Sequence, residues 1–366
     1  MIFLKKKNLL IISTGGTIAG RSINSDSQES FRYKGTERFP EILETAKRQM
    51  NIARIEPIEV CDEDSSNICP FHWVKLIDVI CKNYDEFDSF LITHGTNTMG
   101  YTSAALSFAL GNLGKPVIIT GAQVPFGKAG SDSVLNLENA IRVAVDERLA
   151  GVLVVFGSHI IIGARAKKTT EFDYDAFKSF NSVASLGRIG QQIRIDKASH
   201  SAFQQHLGTM ARYANELDVY KNFNMNIASL TEFPGMSSEY LINQVECMKV
   251  EGIILRSSGT GDPNILPEGR NNEFGNLRDG FDYLRERRIP IIITTHAPDG
   301  IAKMDINEPG KLARDLGAVA AWDMSIESMT VKLGWLLGQE LKYENIKSRM
   351  LESIRGEIVL GDRWLR

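Results

Sequence analysis

Five short apolar runs constrain the fold of this chain more than any other feature: NLLIIST (8–14), ARIEPIEV (53–60), SFLITHG (89–95), KPVIITG (115–121) and GVLVVFG (151–157). They are nearly continuous in apolar residues rather than alternating, the pattern of strands buried on both faces of a parallel sheet. Between them lie amphipathic stretches such as FHWVKLIDVICKNY and SVLNLENAIRVAVDERL. This alternation of strand and helix predicts an α/β fold with an open, doubly wound sheet. A length of 366 residues exceeds one ordinary core. The rhythm lapses between about 190 and 222, where QQ, HSAFQQH and YKNFN stand, and resumes with NMNIASLTEF, VEGIILRSSG, IPIIITTHA and AVAAWDM. The expected organisation is a larger N-terminal α/β domain over 1–189, a connection over 190–222 and a smaller C-terminal α/β domain over 223–366.

Composition serves mainly to exclude. The net charge of −3 gives no global attraction to nucleic acid or anionic lipid, so neither is expected as a partner. No run approaches the roughly 20 apolar residues of a membrane span. Lysines precede Leu9 to Ile12, but that run is too short for an export signal and no small-residue cleavage site follows it. A cytoplasmic protein is expected. Cys61, Cys69, Cys81 and Cys247 form no CxxC pair and read as free thiols. The six histidines show no HExxH or other ligand spacing, and no G-x-S-x-G elbow occurs, so neither a metal nor a classical serine triad is expected.

In open α/β sheets ligands gather at the carboxyl ends of the strands. The tails there read TGGTIAG (14–20), CDEDSSNI (61–68), HGTNTM (94–99), GAQVPF (121–126) and GSHIIIGARAKKTTEFD (157–173). Glycines in TGGTIAG let backbone approach a ligand and turn N–H groups toward developing negative charge, with Thr17 as a nucleophile candidate. The glycines fall at 15, 16 and 20, so neither the dinucleotide fingerprint nor a P-loop fits. A plain strand-end turn is the alternative. Thr96, Asn97 and Thr98 sit beyond another strand, and for Thr98 and Thr102 helix capping is the simpler role. Two Gly-Thr turns at two strand ends suggest a pocket with hydroxyls on facing walls. A threonine needs an activating base or lysine. Lys168 supplies a lysine, although a solvated Lys167–Lys168 pair is the plain alternative. Tyr33, on the polar stretch 21–35, supplies a phenol or is simply a loop aromatic. His94 beside Gly95 reads as structural.

Taken together, TGGTIAG, HGTNTM and Lys168 resemble the bacterial-type L-asparaginase family, most strongly its cytoplasmic, type I branch. The likeness continues through DSSNI (64–68), YTSAALSFALGNLGKPVIITGAQ (101–123), SDSVLNLENAI (131–141), DAFKSFN (175–181), LRSSGTG (255–261) and DMSIESMTVKLGWLLG (323–338). The resemblance implies an amidohydrolase that converts a side-chain carboxamide to carboxylate and ammonia through a threonine acyl-enzyme, without cofactor or metal. It implies Thr17 as first nucleophile and Tyr33 as the mobile-loop tyrosine, although the loop before Tyr33 is longer than usual. It implies Thr96 as second catalytic threonine working with Lys168, and Asn97 at a position in that same network. Gly16, Ser65, Ser66, Gly95, Thr96 and Asn97 are implied to bind substrate. It further implies a small-molecule amide substrate and a homodimer or homotetramer, with Asp262 and Asn264 as weak candidates for reaching a neighbouring copy's site. The tRNA-dependent amidotransferase subunits that resemble asparaginases carry an extra N-terminal domain. Here the glycine turn begins at Thr14, and that role is not expected.

One departure stands out. The family motif is HGTDT and this chain reads HGTNT. The missing carboxylate normally grips the substrate's α-ammonium. Removing one partner of such a buried charge pair costs about 2–5 kcal/mol, roughly 30- to several-thousand-fold in affinity. Free asparagine is therefore expected to bind poorly, and an amide whose α-nitrogen is acylated or absent to bind better. An inactivated homologue that binds an amide or amino acid is the alternative reading.

Overall fold

The run at 8–14 forms the inner strand β1 (Lys7–Gly15), in which Leu9, Leu10, Ile11 and Ile12 are fully buried. The structure is a computed structural model that describes residues 6–16, 18, 40–182, 185–207, 217–267, 275–298 and 300–359. β1 pairs in parallel with β2 (Ile52–Glu63) on one side and β3 (Ser89–Thr93) on the other. β4 (Pro116–Thr120) and β5 (Gly151–Phe156) extend the parallel sheet beyond β3. The chain then reverses through an antiparallel meander of β6 (His159–Ile162), β7 (Gly187–Ile189) and β8 (Ile193–Ile195). The order across the eight strands is β8-β7-β6-β5-β4-β3-β1-β2. β3, β4 and β5 are buried throughout, as their unbroken apolar runs require. β2 is an edge strand, and its exposed Glu56, Pro57 and Glu59 discourage further pairing.

Helices α1 (Pro40–Gln49), α2 (Pro70–Lys82), α3 (Met99–Ala109) and α4 (Ser133–Ala144) fill the crossovers. Trp73, Leu76, Ile77 and Ile80 give α2 one buried face at the spacing of a single helical stripe. Leu137, Ala140, Ile141 and Ala144 do the same for α4, which joins Leu9 and Ile11 of β1 in one core. α3 is buried on nearly every side, and its small residues permit that. Ser103 lies close enough to donate to the Gly163 carbonyl at 2.8 Å.

The stretch 190–222, read from the sequence as a connection, contributes β8 and helix α5 (Lys197–Leu207) to this first unit, which runs to Lys221. Phe203 and Leu207, one turn apart, are its buried residues and enter the core of β1 and α4. Two apolar residues on a polar helix give too narrow a stripe for periodicity to reveal.

The second unit comprises 180–182 and 222–366. Its strands β9 (Ile227–Thr231), β10 (Gly252–Ser257), β11 (Ile291–Thr295) and β12 (Val319–Ala320) form a parallel sheet in sequential order. Helices α6 (Glu239–Glu246), α7 (Arg278–Glu286), α8 (Glu308–Asp315), α9 (Ile326–Gly338) and α10 (Tyr343–Leu351) accompany them. Here α9 carries a fully buried ion pair. Lys332 Nζ lies 2.6 Å from Glu357 Oε1, with both side chains 0% exposed. Lys332 also donates to the carbonyls of Met350 and Glu352, and Glu357 accepts from the amides of Ile354 and Arg355. Among the described residues no helix is long and apolar enough to cross a membrane.

Candidate active site

Three strand-end turns meet at the carboxyl edge of the first sheet. β1 ends at Gly15 and Gly16, with φ of 93° and 81°. Both angles lie in the left-handed region that glycine enters without strain. A Cβ on Gly16 would stand 2.5 Å from Gly95 Cα, and one on Gly95 would stand 2.6 Å from Ser65 Oγ. Both glycines are therefore required for contact: Gly16 lies against the Gly95 backbone and Gly95 against the Ser65 side chain, where a Cβ would intrude. The turn after β1, the turn after β3 and the short helical turn Ser65–Asn67 after β2 thus form one wall. Of the two Gly-Thr turns expected from sequence, the glycines Gly16 and Gly95 meet.

The turn after β3 is held from below by a buried chain of polar groups. The Trp73 indole N–H donates to Thr102 Oγ1 at 3.2 Å, and Thr102 Oγ1 lies 2.9 Å from His94 Nε2. His94 Nδ1 lies 2.7 Å from the Gly95 carbonyl. An indole only donates and a carbonyl only accepts, so the direction is fixed along the whole chain. Thr102 donates to Nε2, and Nδ1–H donates to Gly95. Burial pushes the imidazole down to about 4, against the pull of the Gly95 carbonyl, with a smaller lowering effect from His72. His94 is thus a neutral structural residue, as its position beside Gly95 suggested. Thr102 serves this chain and Thr98 donates to the Ser65 carbonyl at 2.5 Å, so neither hydroxyl caps α3.

Above that floor, Thr96, Asn97, Lys168, Ser65 and Ser66 come together. Lys168 Nζ donates to Thr96 Oγ1 at 2.9 Å and to Asn97 Oδ1 at 3.4 Å. Lys168 ends the short strand Ala166–Lys168, whose pairing with Phe177–Ser179 carries it over the turn. Thr96 is buried and Asn97 exposed. The Asn97 amide is held at both ends, its oxygen toward Lys168 and its Nδ2 donating to Ser66 Oγ at 3.2 Å. The backbone N–H of Asn97 donates to Ser65 Oγ at 3.1 Å, and the Ser66 amide is in turn capped by Asp64 Oδ1 at 2.8 Å. A lysine on a threonine hydroxyl, beside glycine turns and serine hydroxyls, is an arrangement suited to moving a proton at an acyl centre.

Sequence reasoning missed Glu171, whose Oε2 lies 2.5 Å from Lys168 Nζ. Its place three residues past the lysine was the available signal, but in a loop that spacing carries no fixed geometry. Thr17 and Tyr33 lie outside the described residues. Asp262 and Asn264 bond within the second unit, Asp262 Oδ2 accepting from Thr260 and Asn307 and Asn264 N–H donating to Glu232. All four cysteines are free thiols, and among the described residues no group of three or more His, Cys, Asp or Glu could hold a metal ion.

Two family models match the chain: "Asparaginase, N-terminal" over residues 8–201 and "Glutaminase/Asparaginase C-terminal domain" over residues 226–350. The chain is 31% identical to L-asparaginase 1 of Escherichia coli K12, an alignment covering 98% of this chain and 100% of that protein. The crystal structure of L-asparaginase I from Vibrio cholerae matches with a TM-score of 0.81 and 30% identity, covering 97% of this chain and 100% of that one. A subunit of the glutamyl-tRNA(Gln) amidotransferase of Pyrococcus abyssi is 29% identical, over 97% of this chain and 77% of that protein.

Proposed function

Because this chain belongs to the asparaginase family, we propose that it hydrolyses a side-chain carboxamide to carboxylate and ammonia through a threonine acyl-enzyme. The observation that carries this reading is the 2.9 Å bond from Lys168 Nζ to Thr96 Oγ1 at the carboxyl edge of the first sheet. In this reading the Thr17 hydroxyl attacks the amide carbon and its proton passes to the departing nitrogen, which leaves as ammonia. Tyr33 assists from its loop. Water, activated by the Thr96–Lys168 pair, then cleaves the ester and frees Thr17. Gly16 and Gly95 line the acyl site, Ser65 and Ser66 hold the substrate's α-carboxylate, and Asn97 stands at its α-nitrogen. The substrate is a small molecule, the assembly a homodimer or homotetramer, and the compartment the cytoplasm.

Asn97 sets the choice of amide. Its oxygen accepts from Lys168 and one N–H donates to Ser66, leaving a neutral group where a carboxylate would attract an ammonium. A substrate with a blocked or absent α-amine suits this site better than free asparagine. Ammonia release by the wild type and by Asn97→Asp, each given L-asparagine, L-glutamine, 2-oxosuccinamate and an N-acetylated asparagine peptide, tests this. The expected wild type is weak on L-asparagine and faster on a blocked or keto amide, and Asn97→Asp reverses that order with a change of about 30-fold or more. A wild type inert on all four, revived on L-asparagine by Asn97→Asp, would replace the proposal with an inactivated homologue that binds an amide. The likeness to the glutamyl-tRNA(Gln) amidotransferase supports a second outcome, amide hydrolysis that feeds ammonia to a partner enzyme. That would show as turnover rising when such a partner is added.

A further inference from the structure

Lys168 is enclosed, its side chain 12% exposed, and the two groups it meets on the β3 turn are both neutral: the Thr96 hydroxyl and the Asn97 amide oxygen. Among the described residues, the carboxylate within ion-pair distance is Glu171, at 2.5 Å. The backbone there is held in place. Thr169 N–H donates to the Ala176 carbonyl at 2.8 Å, Phe172 N–H donates to Thr170 Oγ1 at 3.1 Å, and Gln123 Nε2 reaches the Thr170 carbonyl at 3.5 Å. Lys168 Nζ thus meets the Glu171 carboxylate at 2.5 Å and the Thr96 hydroxyl at 2.9 Å at the same time.

We propose that Glu171 is the positioning residue of this site, the counter-charge that holds the Lys168 ammonium on Thr96 Oγ1 in a chain whose β3 turn carries no acid. This rests on the amide-hydrolysis reading above. An ammonium has three N–H donors. With one directed at Thr96, one at Asn97 and one at Glu171, the head group is fully committed and its direction fixed. Replace the carboxylate with a neutral amide and the strongest of the three contacts weakens, since the attraction between opposite charges is lost. Lys168 is then free to leave Thr96. Glu171 is 67% exposed, and such pairs add little to stability. Its effect therefore belongs in kcat and not in the melting temperature.

Position 97 is where a charge can be restored. Asn97 Oδ1 stands 3.4 Å from Lys168 Nζ, so a carboxylate of the same shape there lies within ion-pair reach. The experiment is a cycle of wild type, Glu171→Gln, Asn97→Asp and the double variant. Each is assayed for ammonia release on the amide that the wild type and Asn97→Asp both turn over. Glu171→Gln is expected to lower kcat at least tenfold with KM within about twofold and the melting temperature unchanged. In the Asn97→Asp background the same substitution is expected to cost less than threefold. A Glu171→Gln enzyme that keeps more than half its kcat, or an equal loss in both backgrounds, overturns the proposal. If the wild type releases no ammonia from any amide, the reading above fails instead. The ion pair is then judged by nitrogen-15 NMR of the lysine ammonium groups. A Lys168 signal whose proton exchange is slow in the wild type and fast in Glu171→Gln supports the positioning role, and an unchanged signal overturns it.

Discussion

Two lysine–carboxylate pairs in this molecule have similar geometry and opposite uses. Lys332 and Glu357, in the second unit, lie 2.6 Å apart with both side chains fully buried. Lys168 and Glu171, in the first, lie 2.5 Å apart with the carboxylate 67% exposed. In the buried pair the remaining capacity is met by fixed backbone: two carbonyls take the lysine's other protons and two amides reach the carboxylate. Burial pushes the Lys332 ammonium below the ordinary lysine range, against the pull of Glu357. Burial alone would raise Glu357, but Lys332 and the amides of Ile354 and Arg355 together hold it below the ordinary carboxylate range. In the open pair the lysine's other partners are a threonine hydroxyl and a side-chain amide. A closed set of backbone partners ties α9 to the segment after α10. A set of side-chain hydroxyls and amides beside solvent can take part in chemistry.

Removing the ammonium from each pair should separate these uses. Lys332→Met leaves Glu357 charged and buried without its counter-ion. The expected loss is about 3–5 kcal/mol in urea unfolding, with much of it recovered when Glu357→Leu is added. Lys168→Met should leave unfolding within about 1 kcal/mol of wild type, because its partner is solvated, while ammonia release falls about 10²- to 10⁴-fold. A Lys168→Met protein as unstable as Lys332→Met would erase the distinction.

The pH dependence of stability gives a smaller effect from the buried chain beneath the β3 turn. His94 is lowered from 6.5 to about 4, so between those values the unfolded chain binds a proton that the folded chain does not. Stability is fully present above about pH 6.5 and falls as the pH drops toward 4, at up to about 1.4 kcal/mol per unit. Urea titrations at pH 7, 6, 5 and 4 should show this slope, and His94→Asn should flatten it by that amount. An unaltered slope would mean that His94 already accepts a proton in the folded protein.

Much of this was legible in the sequence, and what escaped was of one kind. The five apolar runs are β1 to β5; β1, β3, β4 and β5 read as unbroken apolar runs because they are buried on both faces, whereas β2 is a largely exposed edge strand. The later runs are β9 to β12, of which β10 and β11 are buried along nearly their whole length. β6 to β8 were not read, since β7 and β8 are three-residue strands with an exposed arginine at the centre of each. Helix α5 hid because two buried residues make no visible stripe. At the site, Gly16, Gly95, Ser65, Ser66, Thr96, Asn97 and Lys168 were named from motifs and stand together: the first six follow strands of the main sheet, and Lys168 ends a short strand of a separate two-stranded sheet. Glu171 and the Trp73–Thr102–His94 chain were not foreseen. They depend on which side chains meet across helices and loops, and no local spacing encodes that.

The smallest effect concerns Thr102, the middle of that chain. Thr102→Val keeps the shape of the side chain and removes the one hydroxyl that both accepts from Trp73 and donates to His94. It takes the hydroxyl from the Trp73 indole and leaves the buried His94 Nε2 without its donor, at a cost of about 1–3 kcal/mol. The bond from His94 Nδ1 to the Gly95 carbonyl is not touched, so the turn that carries Thr96 stays in place. The expected variant is therefore less stable in urea, with kcat on the preferred amide reduced less than threefold. If kcat falls more than tenfold while stability hardly moves, the buried chain steers the site rather than supporting it. It would then belong with Lys168 and Glu171 rather than with Lys332 and Glu357.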